Sequence, residues 1–271
     1  MFGRVLFPID FSERSLDMFE RLPELRRLGA REVIIMFVTG PNGTVTEEQR
    51  STLDRLRLGL ENANIAPREI IVPGDPADEI SKAAEREAVD LIAMASSGKG
   101  RAKELVVGST SFKVVRSATR PVLLNKTTKE GRPEKTLFQR VLVPLDLTTC
   151  SEIDENVLPK LIDLGLSEAV LFHVVPSTEY SLDDEGRFEQ VTTMLDERKE
   201  RLLGQGCKIT THVHFGTVSY NILEAAREVE ASIIIMGLHR RSLLREVAVG
   251  GNFEEVIRKS PLPVMVVPCE K

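Results

Sequence analysis

The chain has 271 residues, 42% of them hydrophobic and 28% charged, a globular composition with room for two domains of about 130 residues. No apolar run approaches the ~20 residues of a membrane span, and Met1-Phe-Gly-Arg4 leads into a strand rather than a signal peptide. A net charge of −5 opposes binding to nucleic acid or an acidic membrane surface, so the chain reads as cytoplasmic.

The first half alternates strands and helices. Arg4–Ile9 is an apolar strand, Ser12–Leu28 an amphipathic helix interrupted by Pro23, and Glu32–Val38 a second strand. Thr46–Asn62 carries Leu53, Leu56, Leu58 and Leu60 at mostly helical spacing, and Ile70–Val72 is a third strand. Asp75-Pro76-Ala-Asp78 opens a helix that runs to about Ala88: an N-cap carboxylate, proline at the first position, then another acid. Leu91–Met94 and Val122–Leu124 complete five strands. Apolar, β-branched runs without clean alternation predict a parallel sheet covered on both faces. Lys126–Leu137, with Gly131 and Pro133, reads as a linker.

The same order then returns. Arg4-Val-Leu-Phe-Pro-Ile-Asp10 reappears as Arg140-Val-Leu-Val-Pro-Leu-Asp146, and Pro23 and Gly29 recur at Pro159 and Gly165, all displaced by 136 positions. Later landmarks are displaced by 142: Gly74 and Gly216, Gly108 and Gly250, Pro121 and Pro263. Two copies of one α/β fold result, with domains over 1–126 and 138–271. In the second, strands fall at Arg140–Leu145, Ala169–Val174, Lys208–His214, Ile233–Met236 and Val264–Val267, with a charged helix over Asp183–Leu203.

The chemistry gathers on the stretch from Met94 to Ser111. A buried strand leads into a loop carrying Gly98, Lys99, Arg101 and Lys103, then Gly108-Ser109-Thr110-Ser111 opens a helix. The first amides of a helix lack intrachain partners and sit at its positive end, so this order suits a phosphate. A basic, solvated loop without a ligand is the plainer alternative. The spacing fits neither a Walker loop nor a dinucleotide fingerprint. At the end of the first strand, Asp10 either caps the helix beginning near Ser12 or meets ligand donors such as a base amino group or ribose hydroxyls.

These features together resemble a tandem universal stress protein. The resemblance rests on Val5-Leu-Phe-Pro-Ile-Asp-Phe-Ser-Glu13, on Gly74-Asp-Pro76, on Pro121-Val-Leu-Leu124, and on the late loop. There the family pattern of Gly, two residues, Gly, nine residues, Gly, then Ser or Thr meets Ala95-Ser-Ser-Gly98, nine residues, Gly108-Ser109. It implies two open, five-stranded parallel-sheet domains of the Rossmann-like, adenine nucleotide alpha hydrolase-like class, in tandem. It also implies an adenine-nucleotide-binding stress-response regulator holding ATP or AMP, with magnesium when the ligand is ATP. Pro8, Ile9, Asp10 and the backbone of Val38 would hold adenine and ribose. Met94, Ala95, Ser97 and Gly98 would line ribose and first phosphate, and Gly108, Ser109, Thr110 and Ser111 the phosphates. Ala95 stands where the family has glycine; if positive φ is needed there, alanine costs roughly 1–2 kcal/mol.

The second copy departs further, with Arg240 in place of the second glycine and Gly251 in place of the hydroxyl residue. It reads as a structural or regulatory half, although Arg240, Arg241 and Arg245 could pair with a phosphate. The two copies are expected to form a pseudo-dimer, and the resemblance implies further dimerisation. Cys150, Cys207 and Cys269 show no CxxC pair, and so no sign of a disulfide framework or zinc site. His212 and His214 share a strand face without a third ligand, His173 reads as a core histidine, and His239 as a loop residue. No nucleophile and base are paired. Catalysis is therefore expected to be absent or limited to slow ATP hydrolysis, and an interaction scaffold without nucleotide is the alternative.

Overall fold

A computed structural model describes residues 2–40, 43–96, 107–126, 136–147, 153–176, 184–203, 206–239 and 251–269. The chain forms two compact units, Met1–Arg132 and Pro133–Lys271.

In the first unit the strands are β1 (Arg4–Ile9), β2 (Glu32–Thr39), β3 (Ala66–Pro73), β4 (Leu91–Ala95) and β5 (Val122–Asn125). They lie parallel in the order β3-β2-β1-β4-β5. The order reverses between β1 and β4, and in open parallel sheets the crevice beyond such a reversal is where ligands lie. Leu6, Phe7, Ile34 and Leu91 of the inner strands are almost fully buried. That explains why they read as unbroken apolar runs.

The helices largely follow their capping residues. Thr46 and Gln49 form a reciprocal capping box at the start of α2 (Glu47–Asn62). Asp75 accepts from the amides of Ala77 and Asp78 at the start of α3 (Pro76–Arg86). The single helix expected over Ser12–Leu28 is corrected. It stops as α1 (Glu13–Phe19), and a separate 3-10 helix follows over Leu22–Leu28, with Pro23 in its first turn and Gly29 closing it at φ 90°. Proline lacks the amide and would crowd the preceding turn, so the chain restarts there.

Gly74, between β3 and α3, has φ 148°, and a Cβ there would sit 2.7 Å from Glu79 Cγ. Gly74→Ala is accordingly expected to cost about 1–3 kcal/mol, seen as a lower urea midpoint for the first unit. An unchanged midpoint would show that Glu79 moves aside freely.

The second unit repeats the plan with β6 (Arg140–Pro144), β7 (Glu168–Pro176), β8 (Lys208–Gly216), β9 (Ile233–His239) and β10 (Val264–Cys269) in the order β8-β7-β6-β9-β10. Its helices are α5 (Leu158–Asp163), entered through a π-helical turn over Ile153–Val157, then α6 (Asp184–Leu202), α7 (Val218–Glu228) and α8 (Asn252–Lys259). The amino ends of both sheets are clasped alike. Arg4 pairs with Glu32 and donates to the Glu87 carbonyl at 2.8 Å, while Arg140 pairs with Glu168 and donates to the Val229 carbonyl at 2.6 Å.

Two expectations change. Cys269 is disulfide-bonded and Cys207 is free; spacing along the chain cannot show which sulfurs the fold brings together. Lys126, expected to open a linker, is only 1% exposed at the end of β5.

Candidate functional site

A cavity of about 460 Å³ opens at the carboxyl ends of β1 and β4. Pro8, Ile9 and Asp10 line it from β1, Val38 from β2, Met94 and Ala95 from β4, and Gly108 to Ser111 from the start of α4 (Ser109–Ser117). Ten of the twelve residues singled out in the sequence thus meet in one cleft. Ser97 and Gly98, with Lys99, Arg101 and Lys103, lie outside the described residues. Ser15, Met36, Phe37, Pro76 and Ile80 also line the cleft. Pro76 belongs to the Gly74-Asp-Pro76 motif, though not as a site residue; no motif marked the others, but Phe37 sits near the end of its strand, at the edge where any open parallel sheet gathers its walls.

Asp10 supports the helix start through Ser12, which is itself the N-cap of α1. Its Oδ1 accepts from the Ser12 amide at 3.0 Å and the Ser12 hydroxyl at 2.6 Å, fixing the start of α1. Its Oδ2 takes no bond from any described residue, which leaves an acceptor beside the cleft. Phe11, just beyond, is held at φ 59°, a conformation that costs a side chain roughly 1–2 kcal/mol. Its ring packs edge-on against Phe37 at 4.8 Å, and this contact helps offset the strain.

At the other wall the donors are divided. The Gly108 amide is spent on the Ser96 carbonyl at 2.7 Å, and the Ser111 hydroxyl donates to the Ala95 carbonyl at 2.9 Å. Ser111 therefore offers an amide to a ligand but not its hydroxyl proton, which modifies the part expected of it. Gly108 caps α4 without a side-chain bond, and no acid stands in the first turn. The amides of Ser109, Thr110 and Ser111, with the hydroxyls of Ser109 and Thr110, bond no described residue at the positive end of the helix. Ala95 is not among the residues with positive φ; it is an ordinary strand residue paired with Asn125. The strain contemplated for an alanine there does not arise.

Near this edge, burial pushes the Lys126 amine down to about 8, with repulsion from Arg14 adding to it. Oδ1 of the neighbouring Asn125 is buried without a partner among the described residues.

The second unit has a larger cleft, about 620 Å³, at the corresponding edge. Asp146, Gly237 and Asn252 line it, while Arg240, Arg241, Arg245 and Gly250 lie outside the described residues. Its α8 begins at Gly251 with no side-chain cap but carries Glu254 and Glu255 in the first turn. Glu255 is fixed by the Ser219 hydroxyl at 2.5 Å. His173 is half-buried in the wall of this cleft rather than a core residue, and its Nδ1 lies 2.8 Å from the Leu145 carbonyl. A carbonyl only accepts, so Nδ1 carries the proton. On β8, His212 is exposed, while His214 packs edge-on against Phe172 at 5.0 Å. Among the described residues no group of three or more His, Cys, Asp or Glu could hold a metal. The side chain of His239 is outside them.

Comparison with known proteins agrees with the repeat. The model of the universal stress protein family matches twice, over residues 1–126 and 137–268. Universal stress protein MJ0577 of Methanocaldococcus jannaschii is 31% identical over 155 residues, covering 46% of this chain and 96% of that protein. Universal stress protein Sll1654 of Synechocystis is 29% identical over 136 residues, covering 49% and 87%. Among solved structures, a universal stress protein from Archaeoglobus fulgidus superposes with a TM-score of 0.74 at 26% identity, covering 99% of this chain and 97% of that one.

Proposed function

The chain belongs to the universal stress protein family, with one copy of the domain in each half, and from that premise we propose a regulatory stress-response protein that binds ATP or AMP in its first domain. One observation carries the reading. Three helix-start amides and two hydroxyls that bond no described residue line the same cleft as Asp10, whose Oδ2 likewise takes no bond from a described residue. Donors for phosphate stand at one end, and an acceptor for ribose hydroxyls at the other.

The amides are held by the helix, so no reorganisation is needed to present them. When ATP arrives with magnesium, the hydroxyls of Ser109 and Thr110 are the ligands this wall can offer. The metal would neutralise phosphate charge there. The reading is of binding rather than turnover. Occupancy regulates to the extent that nucleotide favours one arrangement of the surface over another. The reading includes cytoplasmic residence and homodimerisation. Among the described residues no helix is long and apolar enough to cross a membrane.

Isothermal titration of ATP and AMP tests this. One equivalent is expected to bind the intact chain, and Asp10→Asn to bind about tenfold more weakly, a typical cost for one charge-assisted hydrogen bond. Asparagine keeps the Oδ1 that holds Ser12, so the midpoint of unfolding should barely move. No heat with either nucleotide at millimolar concentration would favour the scaffold reading instead.

A further inference from the structure

We propose that the cleft of the second domain takes an uncharged, largely apolar small molecule carrying a hydrogen-bond donor, and not a nucleotide. Three differences between the two clefts lead there.

The first is the dismantled anion seat. Where α4 has no acid in its first turn, α8 has Glu254 and Glu255. Acids in the first turn offset part of a helix's positive end from within; neither lines the cleft, and Glu255 is itself held by Lys259 and the Ser219 hydroxyl. Gly251 supplies no hydroxyl. The second difference is a wall the first cleft lacks. Val191 and Met194 of α6 line the second cleft, with Arg187 and Gln190 beside them, whereas no described residue of α2 lines the first. The cleft gains volume, about 620 Å³ against 460 Å³, and most of its added surface is hydrocarbon. That is ample for an apolar guest of drug-like size.

The third is the polar complement. The described lining holds one carboxylate, Asp146, and one guanidinium, Arg187. With the two signs balanced, the described lining offers a charged guest no net counter-charge against its desolvation. His173, by contrast, commits Nδ1–H to the Leu145 carbonyl and so presents Nε2 as an acceptor within an apolar wall. Its counterpart in the first copy is Phe37, which has no polar atom. An N–H or O–H on the guest would find its partner at His173, and the rest of the molecule would find Val191, Met194 and Ile222.

N-phenyl-1-naphthylamine is a suitable probe, being neutral, apolar and equipped with one N–H. Fluorescence titration of the full chain in saturating ATP should show one equivalent bound with a Kd of about 1–10 µM, the range that burial of a naphthyl and a phenyl group supports. Met194→Trp fills the half-exposed wall and should weaken binding at least about tenfold. His173→Phe removes the acceptor while keeping the apolar surface and should weaken it about fivefold. Ser109→Asp, in the other domain, should leave the probe's affinity unchanged. Non-saturating fluorescence, equal affinity in both second-domain variants, or displacement of the probe by ATP in the Ser109→Asp chain would each overturn the proposal. Should Met194→Trp fold poorly, His173→Phe decides alone.

Discussion

A chain carrying Ser109→Asp is expected to bind ATP at least about a hundredfold more weakly than the parent, while its thermal midpoint holds or rises. The two halves of this expectation have one cause. A carboxylate at the first position of α4 would lie among the amides of Ser109, Thr110 and Ser111, which bond no described residue, accepting from them and repelling phosphate. A negative side chain at a helix start usually stabilises by 0.3–1 kcal/mol, whereas a hundredfold loss in affinity corresponds to about 2.7 kcal/mol. The second unit supplies a natural parallel in Glu254 and Glu255 at the start of α8. Calorimetric titration beside a thermal melt checks the pair of outcomes. Undiminished ATP binding would mean that the phosphates do not sit at α4, and the assignment of this cleft would fall.

Replacing Lys126 by methionine should raise the stability of the first unit at pH 7 by up to about 3 kcal/mol. The side chain is 1% exposed, and burial lowers its amine from 10.5 to about 8. Between pH 8 and 10.5 the unfolded chain therefore holds more protons than the folded one, and stability climbs with pH across that window. Below pH 8 the folded state carries the full cost of a charged buried amine. At about 1.4 kcal/mol per pH unit, that cost is of order 3 kcal/mol. Lys126 keeps a partner in the fold, and losing it subtracts from the gain. Urea midpoints at pH 7 and pH 10 provide the check. The parent should be more stable at the higher pH, and Lys126→Met nearly indifferent over that window. A methionine variant with the parent's pH slope would show that the rise belongs to other groups.

Elements governed by local chemistry could be read directly from the chain. Asp75-Pro76 marked the start of α3 because the cap and the fixed φ of proline act within one turn. The apolar run from Arg4 to Ile9 marked β1 because both faces of that strand are covered. The edge strand β3 was read too short, as Ile70–Val72 rather than Ala66–Pro73. Its outer half carries Pro67, Arg68 and Glu69 where an inner strand would be apolar. For the cleft, the residues that converge from distant strands were found through motif order. The division of donors was not, because the Ser111 hydroxyl and the Gly108 amide are spent on main-chain acceptors that only the folded loop brings near. Nor did spacing show that Lys126 is buried, since a lysine after the last strand of a domain ordinarily faces water.

The bond from Gly108 to the carbonyl of Ser96 has a bearing on engineering. It pins together the two ends of the segment between them with main-chain atoms of the flanking residues alone. Closing a longer segment adds little entropy cost, about 0.6 kcal/mol for each doubling. On the proposed reading, replacing the segment between Gly98 and Gly108 with others of different length and charge would retune which nucleotide is preferred, while the closing bond stays in place.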